Sequence, residues 1–168
     1  MKKLKKSTTK SNNTFSLNDY ISHSRNREYM SGVERDKYRI KQTNEVFTPT
    51  YLVHEMLDQI EKEDPYMFSD VTRVILDNSC GDGQFLSEIV IRKIERSNCT
   101  LEEALKFTYG IDLMKDNIKE CKNRLAGPHP SKEILEILDE NIVKHNSLTW
   151  DFKNWCSTIV KPAKELFR

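Results

Sequence analysis

Two acids and two glycines are the residues whose types and spacing point to chemistry. Asp77 opens a polar run, Asn78-Ser79-Cys80-Gly81-Asp82-Gly83, and Asp112 closes the apolar stretch Phe107 to Asp112. Gly81 and Gly83 carry no Cβ, so a ligand can approach the backbone there and meet its N–H groups. An acid at the end of the following strand can accept hydrogen bonds from both hydroxyls of a ribose. A Gly-x-Gly pair is weak evidence alone, because the dinucleotide fingerprint needs a third glycine where this chain has Leu86.

The elements that must position these residues follow from the apolar pattern. Val74 to Leu76 reads as a buried strand, Phe107 to Asp112 as a second and Asn141 to Lys144 as a third. Phe85, Leu86, Ile89, Val90 and Ile94 share one face of a helix that follows the glycine loop and runs to about Ser97. Thr50 is expected to cap an earlier helix, to about Glu61, with Leu52, Val53, Met56, Leu57 and Ile60 on its apolar face. Ser16 with Asp19, and Thr100 with Glu103, have capping-box spacing. A helix from Lys115 to Leu125 turns Ile118, Cys121 and Leu125 inward and stops at Gly127-Pro128. Another, from Ser131 to about Glu140, is expected to bury Ile134, Leu135, Ile137 and Leu138. Short apolar strands alternating with amphipathic helices imply right-handed crossovers and a parallel sheet. Ser157 to Val160 is the one candidate for a fourth strand.

A chain of 168 residues suffices for one domain with a core. Its net charge of +1 carries no global nucleic-acid signature, although 32% of residues are charged. The charge is uneven: five lysines in the first ten residues predict a disordered basic tail over 1–14, either solubilising or in contact with DNA phosphates. Residues 15–43 are expected to add a polar helical segment. No apolar run is long enough to cross a membrane, and none follows the first lysines to make a signal peptide. The four cysteines lack paired metal spacing, which points to free thiols in a reducing cytoplasm. His54, His129 and His145 likewise lack metal-ligand spacing and read as surface or capping residues.

Four runs in order, VFTPTYLVHEML, ILDNSCGDGQFL, YGIDLMKDNIKECKNRL and NIVKHNSL, resemble adenine-specific DNA methyltransferases of bacterial restriction–modification systems and their phages. The order is that of the subgroup whose methionine-binding motif precedes the glycine loop, and the similarity spans Asn44 to Leu148. The resemblance implies a partial Rossmann-like class I methyltransferase fold over 44–168: an α/β domain of three or four parallel strands with flanking helices. It implies S-adenosyl-L-methionine as cofactor, DNA as partner and the cytoplasm of a bacterial or phage-infected cell.

Residue by residue, Phe47, Thr48 and Pro49 would lie over the methionine part of the cofactor. Asp77 would meet the methionine end, directly or through water, unless it only caps the loop. Gly81, Gly83 and Phe85 belong to the same binding set, and Cys80 sits in the loop as a small packing residue. Asp112 would hold the ribose, cap the helix at Lys115, or do both. Leu113 would pack on the adenine face or join the core. Asn146 stands where many members have an Asp that contacts the adenine amine, and its carbonyl oxygen can accept the same bond.

The family's catalytic loop, Asn- or Asp-Pro-Pro-aromatic, holds the amine of the flipped base. This sequence contains no Pro-Pro pair, and Val160-Lys161-Pro162-Ala163 supplies neither the acceptor nor the aromatic ring. The chain therefore reads as the cofactor half of such an enzyme: truncated, split, or reused as a non-catalytic binding or interaction module. In this fold the first strand lies at the sheet's centre. Without a fourth strand its open edge invites a second polypeptide carrying the missing half, or a homodimer. If Ser157 to Val160 does pair there, Trp150, Phe152 and Trp155 would cover the gap. A nicotinamide-dependent dehydrogenase is disfavoured by the missing third glycine.

Overall fold

The computed structural model describes residues 16–26 and 48–157. The basic tail, most of the 15–43 segment, Phe47 and residues 158–160 lie outside them.

Three short parallel strands, β1 (Ile75–Asp77), β2 (Thr108–Asp112) and β3 (Ile142–Lys144), form one sheet in the order β1-β2-β3. Leu76 pairs with Tyr109, Asp77 with Gly110, Gly110 with Ile142 and Asp112 with Lys144. Among the described residues β2 is therefore flanked on both sides and β1 has one neighbour, the open edge expected where no fourth strand pairs with it. All five residues of β2 are buried, as suits a strand flanked on both sides and covered on both faces.

The helices are α1 (Leu17–Arg25), α2 (Thr50–Glu63), α3 (Gln84–Ser97), α4 (Leu101–Lys106), α5 (Lys115–Ala126), α6 (Lys132–Asn141) and α7 (Phe152–Ser157). Both expected capping boxes form, Ser16 with Asp19 and Thr100 with Glu103, and Ser131 caps α6. Thr50 caps nothing: Pro49 precedes α2, and the Thr50 hydroxyl accepts a hydrogen bond from Gln84 Nε2. The helix α5 ends at Gly127, whose φ of +76° suits glycine.

Strand β2 packs against α3 because Gly110 has no side chain. A Cβ there would stand 2.6 Å from Leu86 Cδ1 and 3.0 Å from Cys80 Sγ. Leu86, Val90, Leu105, Leu125, Ile134 and Leu138 lie in the resulting core. At the opposite end of the strands the fully buried Lys93 ammonium donates to the carbonyls of Arg73 (2.7 Å), Phe107 (3.1 Å) and Val71 (3.4 Å). It ties the lead into β1 to the lead into β2, and burial pulls its pKa down to about 8.

Two apolar faces depart from the pattern. On α2 only Val53 and Leu57 are buried, while Leu52, Met56 and Ile60 are exposed. On α6 Leu135 is exposed, and Ile134, Ile137 and Leu138 carry the packing. Ser157 ends α7 and is not part of a strand. The aromatic cluster does form, but it rests on β2. Trp155 meets Tyr109 edge-on with ring centroids 5.1 Å apart, and Trp150 and Phe152 pack on Trp155. Trp155 Nε1 also donates to the Glu140 carbonyl, which anchors α7 to the end of α6. Side chains alternate across a strand, so Tyr109 lies on the face opposite Gly110 and α3. Leu76, on that same face of β1, remains 36% exposed.

Candidate functional site

The loop from Asn78 to Gly83 joins the end of β1 to the start of α3; its backbone is bound to β2, and β2 in turn is bound to the residue after β3. Cys80 N–H donates to the Ile111 carbonyl and His145 N–H to the Asp112 carbonyl, each at 3.0 Å. Gly81 and Gly83 both take left-handed conformations, φ +52° and +83°, which the loop needs in order to reverse within so few residues. At Gly83 the space is also closed: a Cβ would lie 2.6 Å from Cys121 Sγ.

Asp112 is the hub of the site. One carboxylate oxygen accepts from Gly81 N–H at 3.1 Å; the other accepts from Met114 N–H at 2.8 Å and Asn117 Nδ2 at 3.1 Å. It therefore holds the glycine loop and the lead into α5 together. A carboxylate offers about four lone-pair positions, so three bonds leave room for a ligand donor. Asp112 does not cap α5 as expected, since Met114 holds the N-cap position without a side-chain cap bond; it bonds instead the Met114 N–H just ahead of the helix and the Asn117 side chain within it.

Asp77 is the last residue of β1 and not the first of the loop. It lies on the same face of the sheet as Asp112, one strand away. It accepts Ser79 N–H at 3.0 Å. Burial raises its pKa, the Ser79 bond opposes that, and the Asp112 charge adds to the rise. Two neighbouring carboxylates of which one resists ionisation form a site that a cation would stabilise.

Cys80 is buried and its thiol hydrogen-bonds Cys121, which together with desolvation pushes its pKa strongly upward. It stays a protonated packing group, as read from the sequence. Phe85 is half-buried and packs against the core from the first turn of α3. Leu113 is 59% exposed, so it is not core. It opens a cavity of about 800 Å³ that continues along α5 past Met114 and Ile118. Thr48 and Pro49 precede α2, whose first residue Thr50 is bonded to Gln84 at the start of α3, just after the glycine loop.

Asn146 is exposed, and its side-chain oxygen accepts Leu148 N–H at 3.0 Å, capping the 3₁₀ turn Ser147–Thr149. Part of the acceptor capacity expected for a ligand is used locally. His54 lies 3.4 Å from the Glu88 carboxylate, and the exposed His145 ring packs on Trp150. No group of three or more His, Cys, Asp or Glu that could hold a metal occurs among the described residues.

The sequence reading missed Arg124. This residue is 5% exposed and donates to the Asp82 carboxylate at 2.6 Å, the Asp82 carbonyl at 3.0 Å and the Ser24 carbonyl at 3.0 Å. It clamps the glycine loop to α5 and to the end of α1. Beside it Arg25 makes a bidentate pair with buried Glu88, at 2.8 and 2.7 Å. The signal available was a charged residue, Arg124, one position before the inward-facing Leu125, and an acid, Glu88, inside the apolar run of α3.

These features define an α/β protein with a parallel sheet, a glycine loop at the carboxyl end of the first strand and an acid at the end of the second. Compared with protein families, curated proteins and solved structures, the chain has no match. No helix among the described residues is long and apolar enough to cross a membrane.

Proposed function

We propose that the chain binds S-adenosyl-L-methionine in a Rossmann-like, class I methyltransferase site and serves as the cofactor-binding part of an adenine-specific DNA methyltransferase. One observation carries the reading: Asp112, at the end of β2, accepts from the glycine loop at Gly81 N–H and is followed by the exposed Leu113, which lines a cavity along α5. In this reading the remaining capacity of Asp112 takes a ribose hydroxyl, and Leu113 underlies the adenine. Asp77, whose pKa is raised by burial and by the Asp112 charge, takes the cationic methionine end as a carboxylate. Binding a cation requires the Asp77 carboxylate, so affinity is expected to fall as pH drops through its raised pKa.

The chain itself supplies no acceptor for the target amine, because it has no Pro-Pro motif. Catalysis in this reading needs that loop supplied from outside these 168 residues, with DNA as the substrate. The β1 edge, unpaired among the described residues, together with exposed Leu76, supports a partner chain or a second copy of the chain. The absent motif also favours a second reading, a non-catalytic cofactor-binding module.

Calorimetric titration of S-adenosylmethionine tests the proposal. Saturable binding is expected, weakened by roughly 1–3 kcal/mol in Asp112→Ala through lost hydrogen bonds to a charged acceptor. Absence of binding to the folded chain would overturn it.

A further inference from the structure

The cavity beside Leu113 carries a charge pattern that an adenosyl group does not require. Its floor is apolar, from Leu113, Met114 and Ile118, and four lysines surround it: Lys115, Lys119 and Lys122 on α5, and Lys144 at the end of β3. Asp116 is the only acid in the lining. Lys122 is held by Asp139 at 2.7 Å. Lys115, Lys119 and Lys144 have no salt-bridge partner among the described residues. Lys115 and Lys119 are four residues apart and so share one helix face. Lys144 stands in register with Asp112 on the neighbouring strand, which brings its stem to the same rim.

Like charges gathered around one concavity repel one another and focus a positive potential into it. An apolar floor with a cationic rim is complementary to a flat, uncharged ring that carries an anionic group. At about 800 Å³ the cavity is the size of a nucleotide site. We propose that this groove binds a nucleoside phosphate, with its base on Leu113 and Ile118 and its phosphate among Lys115, Lys119 and Lys144. The ligand is either a free nucleotide or one unit of a single nucleic-acid strand. S-adenosylmethionine has no phosphate, so the proposal goes beyond the cofactor reading; both readings place a base on Leu113, so the two ligands are expected to compete for this groove.

The test titrates ADP, adenosine and a short oligothymidylate into the full chain at about 50 mM salt, where phosphate contacts are strongest. ADP or the oligonucleotide is expected to saturate, with adenosine at least tenfold weaker. The double variant Lys119→Gln/Lys144→Gln is expected to lose about tenfold or more, as charge-assisted bonds to phosphate are removed. Both side chains are exposed, so an unchanged thermal midpoint is expected to accompany that loss. Lys132→Gln, on α6 and outside the lining, is the control and should bind as the parent does. Tighter binding of the oligonucleotide than of ADP assigns the site to a strand, and the reverse assigns it to a free nucleotide. Failure of both to saturate, or equal affinity in the double variant, overturns the proposal. S-adenosylmethionine titrated in parallel separates the two readings. If it fails to bind while ADP binds, the cofactor proposal falls and the groove proposal stands.

Discussion

Replacing Gly83 with Ala perturbs the glycine loop by one methyl group at its tightest point. The new Cβ would stand 2.6 Å from Cys121 Sγ and 3.1 Å from Cys121 Cα, on a residue with φ +83°. The left-handed backbone costs an L-residue about 1–2 kcal/mol. Forcing a methyl into a filled site adds about 1–3 kcal/mol. The sum, roughly 2–5 kcal/mol, is a large part of the stability of a domain this size. Adding Cys121→Ala removes the sulfur clash but not the backbone strain. It should return about 1–2 kcal/mol of the overpacking cost in the double variant, although alone it destabilises by emptying a buried site. Urea unfolding of the parent, both single variants and the double variant closes the cycle. A Gly83→Ala protein within about 0.5 kcal/mol of the parent, or a cycle without coupling, would refute the packing argument.

Lys93 predicts a pH dependence. Its folded pKa, about 8, lies below its ordinary value of 10.5, so the unfolded chain holds a proton that the folded chain releases between them. Stability on this account rises from pH 8 to 10.5 and shows the full penalty below pH 8; Lys93→Met should abolish that slope in denaturant titrations. Arg124→Met should free Asp82 and speed amide exchange at Gly81 to Gly83 more than in α6; uniform acceleration would mean only a global loss of stability. The chain alone should transfer no labelled methyl group to adenine-containing DNA. Measurable incorporation would show an acceptor for the target amine that the sequence does not display.

The strands and most helices were legible because local signals agree with burial. The capping boxes at Ser16 and Thr100, the Gly127 stop and the apolar run before Asp112 each encode their element within a few residues. Faces were harder to read. The periodicity of α2 and α6 cannot say how wide a stripe the neighbours cover, so Leu52, Met56, Ile60 and Leu135 lie exposed where burial was expected. Within the site, Asp112 was found by its position, but its grip on Gly81 is a contact across 31 residues that no local pattern carries. The Arg124 clamp is hidden for the same reason, since Ser24 lies 100 residues away. The aromatic residues Trp150 and Trp155 were expected to matter for covering the sheet, and only tertiary packing could decide that they serve β2.

The central claim is that S-adenosylmethionine occupies the crevice between the glycine loop and Leu113. Amide chemical-shift mapping of the labelled chain during a titration tests this most directly. The expected result is a saturable perturbation centred on Gly81, Gly83, Asp112 and Leu113, with the amides of α4 unmoved. No saturable perturbation, or one centred away from the carboxyl ends of β1 and β2, would contradict it.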